Sequence, residues 1–348
     1  MKISISANAP PWKRQEFAEQ LTYVQEAERM GADTVWTLEG WGQDAVTPLA
    51  YLAARTHKIK LGTAIMQVTA RAPAMTAMTA MTLSALSEGR FILGLGSSGP
   101  QLVEGLHGQP FDKPLTRMKE TLDIIRSAFA GDKLELSGEK YQLPLPGGQG
   151  KALRLGQPPN PDIPIYLATL GPKALEYTGQ VAQGWIGTAF APERAHAFLD
   201  PIWSGASGAQ RSQTLLDIHV GAASVAFGEN LDSLIQPLKM GKAFTLGAMG
   251  SKTTNYYNDA YRRSGWTKAS QVVQELWIQG QRDEAASAVP DEMIVQTNLL
   301  GTQSMVKERL SAYKSAGVTT LKVAPVATSL EEKINVLGKV IDLSKDLP

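Results

Sequence analysis

Phe91-Ile92-Leu93-Gly94-Leu95-Gly96-Ser97-Ser98-Gly99-Pro100 reads as a short apolar run that empties into a loop almost without side chains. Phe91, Ile92, Leu93 and Leu95 suit a strand buried on both faces, the type found in parallel sheets. Gly94, Gly96 and Gly99, with Ser97 and Ser98, remove bulk where that strand ends, so bare backbone N–H groups could approach an anionic or flat ligand. The pattern occurs once before, in Lys60-Leu61-Gly62-Thr63-Ala64-Ile65-Met66. Two strands are thus expected to end in small residues over one shared pocket.

Outward from that stretch, short apolar runs alternate with amphipathic ones, the mark of repeated β-α units. Strands are predicted over 2–7, 33–38, 60–67, 91–96, 163–169, 184–189, 217–227 and 319–325. Helices are predicted over 14–30, 46–57, 73–87, 115–130, 172–182 and 303–316. Gly31 and Gly317 are placed to end helices, and Pro73 to open one. Eight strands with helical crossovers favour a closed (β/α)8 TIM barrel, an α/β fold, over an open doubly wound sheet. The expected organisation is a single domain over 1–348 with two departures from the repeat. Residues 131–162 hold Gly147-Gly148-Gln149-Gly150 and Pro158-Pro159-Asn160-Pro161, and read as an excursion with room for a hairpin. Residues 228–292 read as a helical insertion between the seventh and eighth strands, shaping either a substrate pocket or a surface layer.

Composition narrows the function. Of 348 residues 43% are hydrophobic and 19% charged, enough for a large core and unlike a disordered chain. Lys plus Arg (34) nearly cancel Asp plus Glu (33) with no basic block, which argues against nucleic acid as partner. Cysteine is absent, which excludes disulfides, thiolate catalysis and cysteine-held metal. No run reaches the length of a membrane span or signal core, so a cytoplasmic protein is expected. The four histidines lack clustered ligand partners, so no metal site is expected.

Asp33-Thr34-Val35-Trp36-Thr37-Leu38-Glu39, Ile59-Lys60-Leu61-Gly62-Thr63, Glu88-Gly89-Arg90-Phe91 and Gly94-Leu95-Gly96 together resemble the bacterial luciferase-like superfamily. Gly99-Pro100-Gln101-Leu102-Val103-Glu104-Gly105, followed by Gly108-Gln109-Pro110-Phe111, resembles its branch that uses the deazaflavin coenzyme F420. Asp162-Ile163-Pro164-Ile165-Tyr166-Leu167-Ala168, Gly184-Trp185 and Gly301-Thr302 continue the likeness, which is weakest over about 195–292. The resemblance implies a cofactor at the carboxyl ends of the strands. It also implies a non-prolyl cis peptide at Ala64–Ile65 backing the ring, where small Thr63 and Ala64 permit close approach. Phosphate-side contacts would then fall on Gly96, Ser97 and Ser98, and on Thr169, Leu170 and Gly171 ahead of a helix that Pro172 opens. A homodimer is a further implication.

A deazaflavin passes a hydride, so the protein's part is orientation and proton delivery. Glu39 is the first acid–base candidate, lying at the end of the second strand with Trp36 and Trp41 to exclude water. It could equally hydrogen-bond backbone or cofactor. Asp44 reads as a cap for the helix beginning near Val46. His107, after the Gly-rich turn, could exchange a proton near neutral pH or be a plain loop residue. Arg71 could anchor a carboxylate or phosphate, or form a surface ion pair. Met75, Met78 and Met81 suit core packing. Sugar-phosphate dehydrogenases of this superfamily carry a His directly after the acidic residue of the second strand and a Lys after the sixth. Gly40 and Gly187-Thr188-Ala189-Phe190 stand here instead, which argues against a sugar phosphate. Trp41, Phe190 and Phe227 favour a small hydrophobic substrate such as an enone, ketone or alcohol. Two alternatives remain: an FMN-dependent monooxygenase, and a non-catalytic cofactor-binding protein.

Overall fold

The computed structural model describes residues 1–7, 13–251 and 253–347. Its strands, in chain order, are β1 Lys2–Ser6, β2 Thr34–Thr37, β3 Lys60–Thr63, β4 Met66–Gln67, β5 Phe91–Gly96 and β6 Leu136–Ser137. Then follow β7 Gln142–Leu143, β8 Ile165–Ala168, β9 Gly184–Gly187, β10 Asp217–Phe227, β11 Leu299–Gly301 and β12 Thr320–Pro325. The sheet runs β12-β1-β2-β3-β5-β8-β9, and β10 pairs with both β9 and β12, so the order returns on itself. These eight strands and the helices between them make a closed (β/α)8 barrel, as the alternating pattern predicts.

The chain divides into two compact units, 36–168 and the remainder, 1–35 with 169–348. In the first, β5 takes β3 and β4 on one side and β8 on the other, all parallel. Every residue of β5 is buried, which is why its sequence is continuously apolar instead of alternating. In the second, β10 carries β9, β11 and β12, and β12 also pairs with β1.

Helix boundaries follow the chemistry of their ends. The helix Arg14–Met30 stops at Gly31, held at φ 93°, where a side chain would be strained. Pro73, Pro114 and Pro172 each open a helix, where a missing N–H costs nothing. Asp44 accepts from the amides of Val46 and Thr47, both at 2.8 Å, and so caps the helix Val46–Ala53. The 131–162 excursion holds the β6–β7 hairpin. Buried Glu120 ties it down by accepting from the amides of Glu139, Lys140 and Tyr141 at 2.7–2.9 Å. The 228–292 segment is mostly helical, in several helices joined by short turns, and residue 252 lies outside the described residues. Elements not predicted include β11, the short helix Pro100–Val103, the helix His196–Gly208, which holds Pro201 inside it, and the helix Leu330–Lys345. No described helix is long and apolar enough to cross a membrane.

Candidate active site

The loops that follow β2, β3, β4 and β5 hold most of the expected site. The predicted strand 60–67 is broken into β3 and β4, each paired with β5, around a cis peptide at Ala64–Ile65. This bulge is stitched to the chain after β2: Ala64 N donates to Thr37 O at 2.6 Å, and Glu39 N donates to Ile65 O at 3.0 Å. Thr63 is fully buried; its hydroxyl donates to Gly94 O (2.8 Å) and accepts from Gly94 N (2.9 Å). Its hydroxyl thus locks β3 to β5.

The small residues of these strands have a different cause from the one expected. A Cβ on Gly62 would strike the ring of Trp36, and one on Gly96 would press on the side chain of Ile65. Gly62 therefore makes room for a core indole, and Gly96 for the bulge. The bareness that remains lies later in the loop. The hydroxyls of Ser97 and Ser98 make no hydrogen bond among the described residues, and Ser98 holds φ 58°.

Glu39 lies two residues beyond β2. Its Oε1 is 2.5 Å from an Arg71 guanidinium nitrogen, and its Oε2 accepts from Gln67 N at 3.1 Å. The Glu39 side chain is 7% exposed and that of Arg71 23%, so this is an inward ion pair and not the surface one considered for Arg71. Trp36 is core, at 1% exposure, whereas Trp41 is 67% exposed. What excludes water from Glu39 is the β4 backbone and Arg71. In β4 and these loops, Gln67 Oε1, Thr69 Oγ1 and His107 Nε2 are buried without a hydrogen-bond partner among the described residues. Thr69 and Ser97 also line a small cleft of about 10 Å³ with Val68, Phe111 and Arg117. Orphaned acceptors and donors beside free hydroxyls are what a polar ligand would satisfy.

In the other unit, Thr169-Leu170-Gly171 leads into the helix Pro172–Val181. The hydroxyl of Thr169 is taken by Thr178 at 2.7 Å and its carbonyl by Trp185 Nε1 at 2.9 Å, so both are structural. Leu170 O accepts from the Arg263 guanidinium, which brings a cation to the turn. A Cβ on Gly171 would meet nothing within 4 Å, and the amides of Gly171 and Lys173 donate to nothing among the described residues. Open N–H groups at a helix start beside an arginine favour an anion. Phe190, expected at the substrate, is 2% exposed and packs on Trp185, Phe198 and Tyr313 at 5.9–6.2 Å between ring centres. That placement gives it a core role. No described group of three or more His, Asp or Glu could hold a metal ion.

Residues 2–320 match the model of the luciferase-like monooxygenase family. This chain belongs to that family. Within the family it is 38% identical over 320 residues, 90% of this chain and 92% of the other, to a Mycobacterium tuberculosis protein whose designation as a coenzyme F420-dependent oxidoreductase is itself provisional. It is 28% identical to the 5,10-methylenetetrahydromethanopterin reductase of Archaeoglobus fulgidus over 92% of this chain and 93% of that one. The solved structure of the coenzyme F420-dependent tetrahydromethanopterin reductase of Methanopyrus kandleri superposes with a TM-score of 0.78. That match is 23% identical, covers 98% of both chains, and supports the shared fold.

For this luciferase-like chain, the sequence reading missed Gln67 and Arg263, each of which holds a candidate group in place. Gln67 carried no signal beyond following the bulge. Arg263 follows the helix Tyr256–Tyr261 and precedes the positive-φ Gly265, a helix interruption of the kind that often marks a site.

Proposed function

We propose that this luciferase-like protein is a coenzyme F420-dependent oxidoreductase that transfers a hydride between the deazaflavin and a small hydrophobic enone, ketone or alcohol. The observation that carries the cofactor assignment is full-length similarity to relatives named for F420. An FMN-dependent monooxygenase is the second reading, and the family description is what favours it.

The residues of these loops fit the coenzyme. In the 36–168 unit, Thr63, Ala64 and Ile65 would back the ring, and the free hydroxyls of Ser97 and Ser98, after Gly96, would meet polar oxygens. The turn Thr169–Gly171 offers its own donors of the phosphate-binding kind at Gly171 and Lys173. When bound, the deazaflavin supplies hydride chemistry and little else. Proton movement falls to the chain. His107 Nε2, which is without a partner, is the group placed to give or take a proton. Glu39, held by Arg71 and Gln67, fixes the bulge and sets its charge, and is the second acid–base candidate. Trp41, with its exposed indole, is the aromatic open to a substrate.

The test is an anaerobic assay of the coenzyme-loaded protein against enones, ketones, alcohols and glucose 6-phosphate, followed at the coenzyme's absorption band. Turnover of members of the first three classes is expected. Turnover of glucose 6-phosphate alone, or oxygen consumption with FMN, would overturn the assignment. The resemblance also supports a homodimer, which light scattering on the eluting protein would check.

A further inference from the structure

Lys322 is a charged residue in the middle of β12, flanked by Leu321 and Val323, which are both buried. Register places it opposite Ser4 of β1, and the stem of its side chain lies over Gly221 of β10, where any Cβ would collide with it. The same face carries Ser4 and His219, joined at 2.8 Å and almost wholly buried. Those strands bring no carboxylate to Lys322. Asp217, the acid nearest in register on β10, is engaged by Thr319 and Thr320. Among the described residues Lys322 has no hydrogen-bond or ion-pair partner.

Lys322 is half-buried, and an ammonium partly withdrawn from water without a counter-charge is costly unless a ligand supplies one. Desolvation acts in the same direction, pulling the Lys322 pKa down from 10.5 to about 8. Lysines elsewhere are treated differently: Lys239 pairs with Asp291 at 2.6 Å, and buried Lys242 donates to Tyr261 and Thr297. Glycine at 221 is also what lets the lysine stem lie flat along the strand instead of turning to solvent.

We propose that Lys322 is an anion-binding residue that receives a singly charged oxyanion, a carboxylate or enolate oxygen, on the face of β12 shared with Ser4 and Gly221. One isolated ammonium balances one negative charge, and Lys2, the other lysine of β1, is paired with Asp33 at 3.6 Å. The oxyanion can belong to the cofactor or to the substrate. The site itself does not depend on the F420 reading; only the identity of its occupant does.

The experiment is carbon NMR of the full chain with its lysines reductively methylated by labelled formaldehyde. The Lys322 signal is the one missing from K322M. It is expected to titrate near pH 8 while surface lysines titrate near about 10.4, and to shift saturably with acetate. Wild type and K322R are expected to bind the occupant about tenfold or more tightly than K322M. If the coenzyme shifts the signal and binds K322M more weakly, the cofactor is the source. If only a carboxylate-bearing ketone does so, with KM raised and kcat kept, the substrate is the source. A signal that titrates with the surface lysines, or ignores acetate, coenzyme and keto acid alike, overturns the proposal. Coenzyme that fails to bind wild type while acetate still shifts the signal overturns the F420 reading alone.

Discussion

At the scale of single residues, glycines of this chain differ by what would meet a side chain. Gly62 faces the Trp36 ring, so Gly62→Ala forces an overpacked core and should cost about 1–3 kcal/mol in chemical denaturation. Gly171 has an ordinary φ of −74° and open space around it, so Gly171→Ala should leave stability within roughly 0.5 kcal/mol. On the proposed function it should still weaken coenzyme binding. A stable Gly62→Ala protein would contradict the packing account. Buried Lys242 gives a test in pH. Burial lowers its pKa from 10.5 to about 8, so below that value the folded state carries a poorly solvated charge. Between about pH 8 and 10.5 the folded state gives up this proton before the unfolded chain does, so the unfolded state binds more protons and stability rises with pH. The Tm of wild type minus that of K242M should therefore increase from about pH 7 to about pH 10 in scanning fluorimetry. A flat or falling difference would contradict it.

Secondary-structure elements are joined by close approaches that sequence patterns do not display. The helices Pro172–Val181 and His196–Gly208 cross so closely that a Cβ on Gly179 would strike Ile202 O, and one on Gly205 would strike Glu176 O. Gly205→Ala should accordingly cost about 3 kcal/mol or more, seen as a lowered denaturation midpoint with unchanged slope. The β6–β7 hairpin depends on the Glu120 carboxylate and its three amides. Removing it with Glu120→Ala should cost roughly 2–3 kcal/mol and speed amide exchange at Glu139, Lys140 and Tyr141 before elsewhere. Helices opened by proline and closed by glycine were legible because those residues act locally. The helix His196–Gly208 was not, because Pro201 and two glycines inside it look like breakers, and tertiary packing overrides them. The helix Leu330–Lys345 did carry a readable start, with Ser329 accepting from Glu332 N at 3.1 Å. β11 is three residues long, too short for any period to show.

Across the whole molecule, the (β/α)8 barrel and the family were legible because strand and helix periods repeat along nearly the full chain. The site was legible only in part. The cis peptide at Ala64–Ile65 stands where the family likeness implies it. The reason given for the small residues was incomplete, since Trp36 and Ile65 occupy the space at Gly62 and Gly96. Partners that meet only in three dimensions, such as Arg71 with Glu39 and Arg263 with Leu170, leave no spacing in the sequence to be read. The central claim is that the chain takes a deazaflavin and uses it for hydride transfer. The most direct measurement is a binding titration of the purified protein against coenzyme F420 and FMN side by side, followed by fluorescence. The account predicts saturable binding of F420 at least about tenfold tighter than FMN, a gap of about 1.4 kcal/mol. Tighter binding of FMN, or binding of neither, would contradict it.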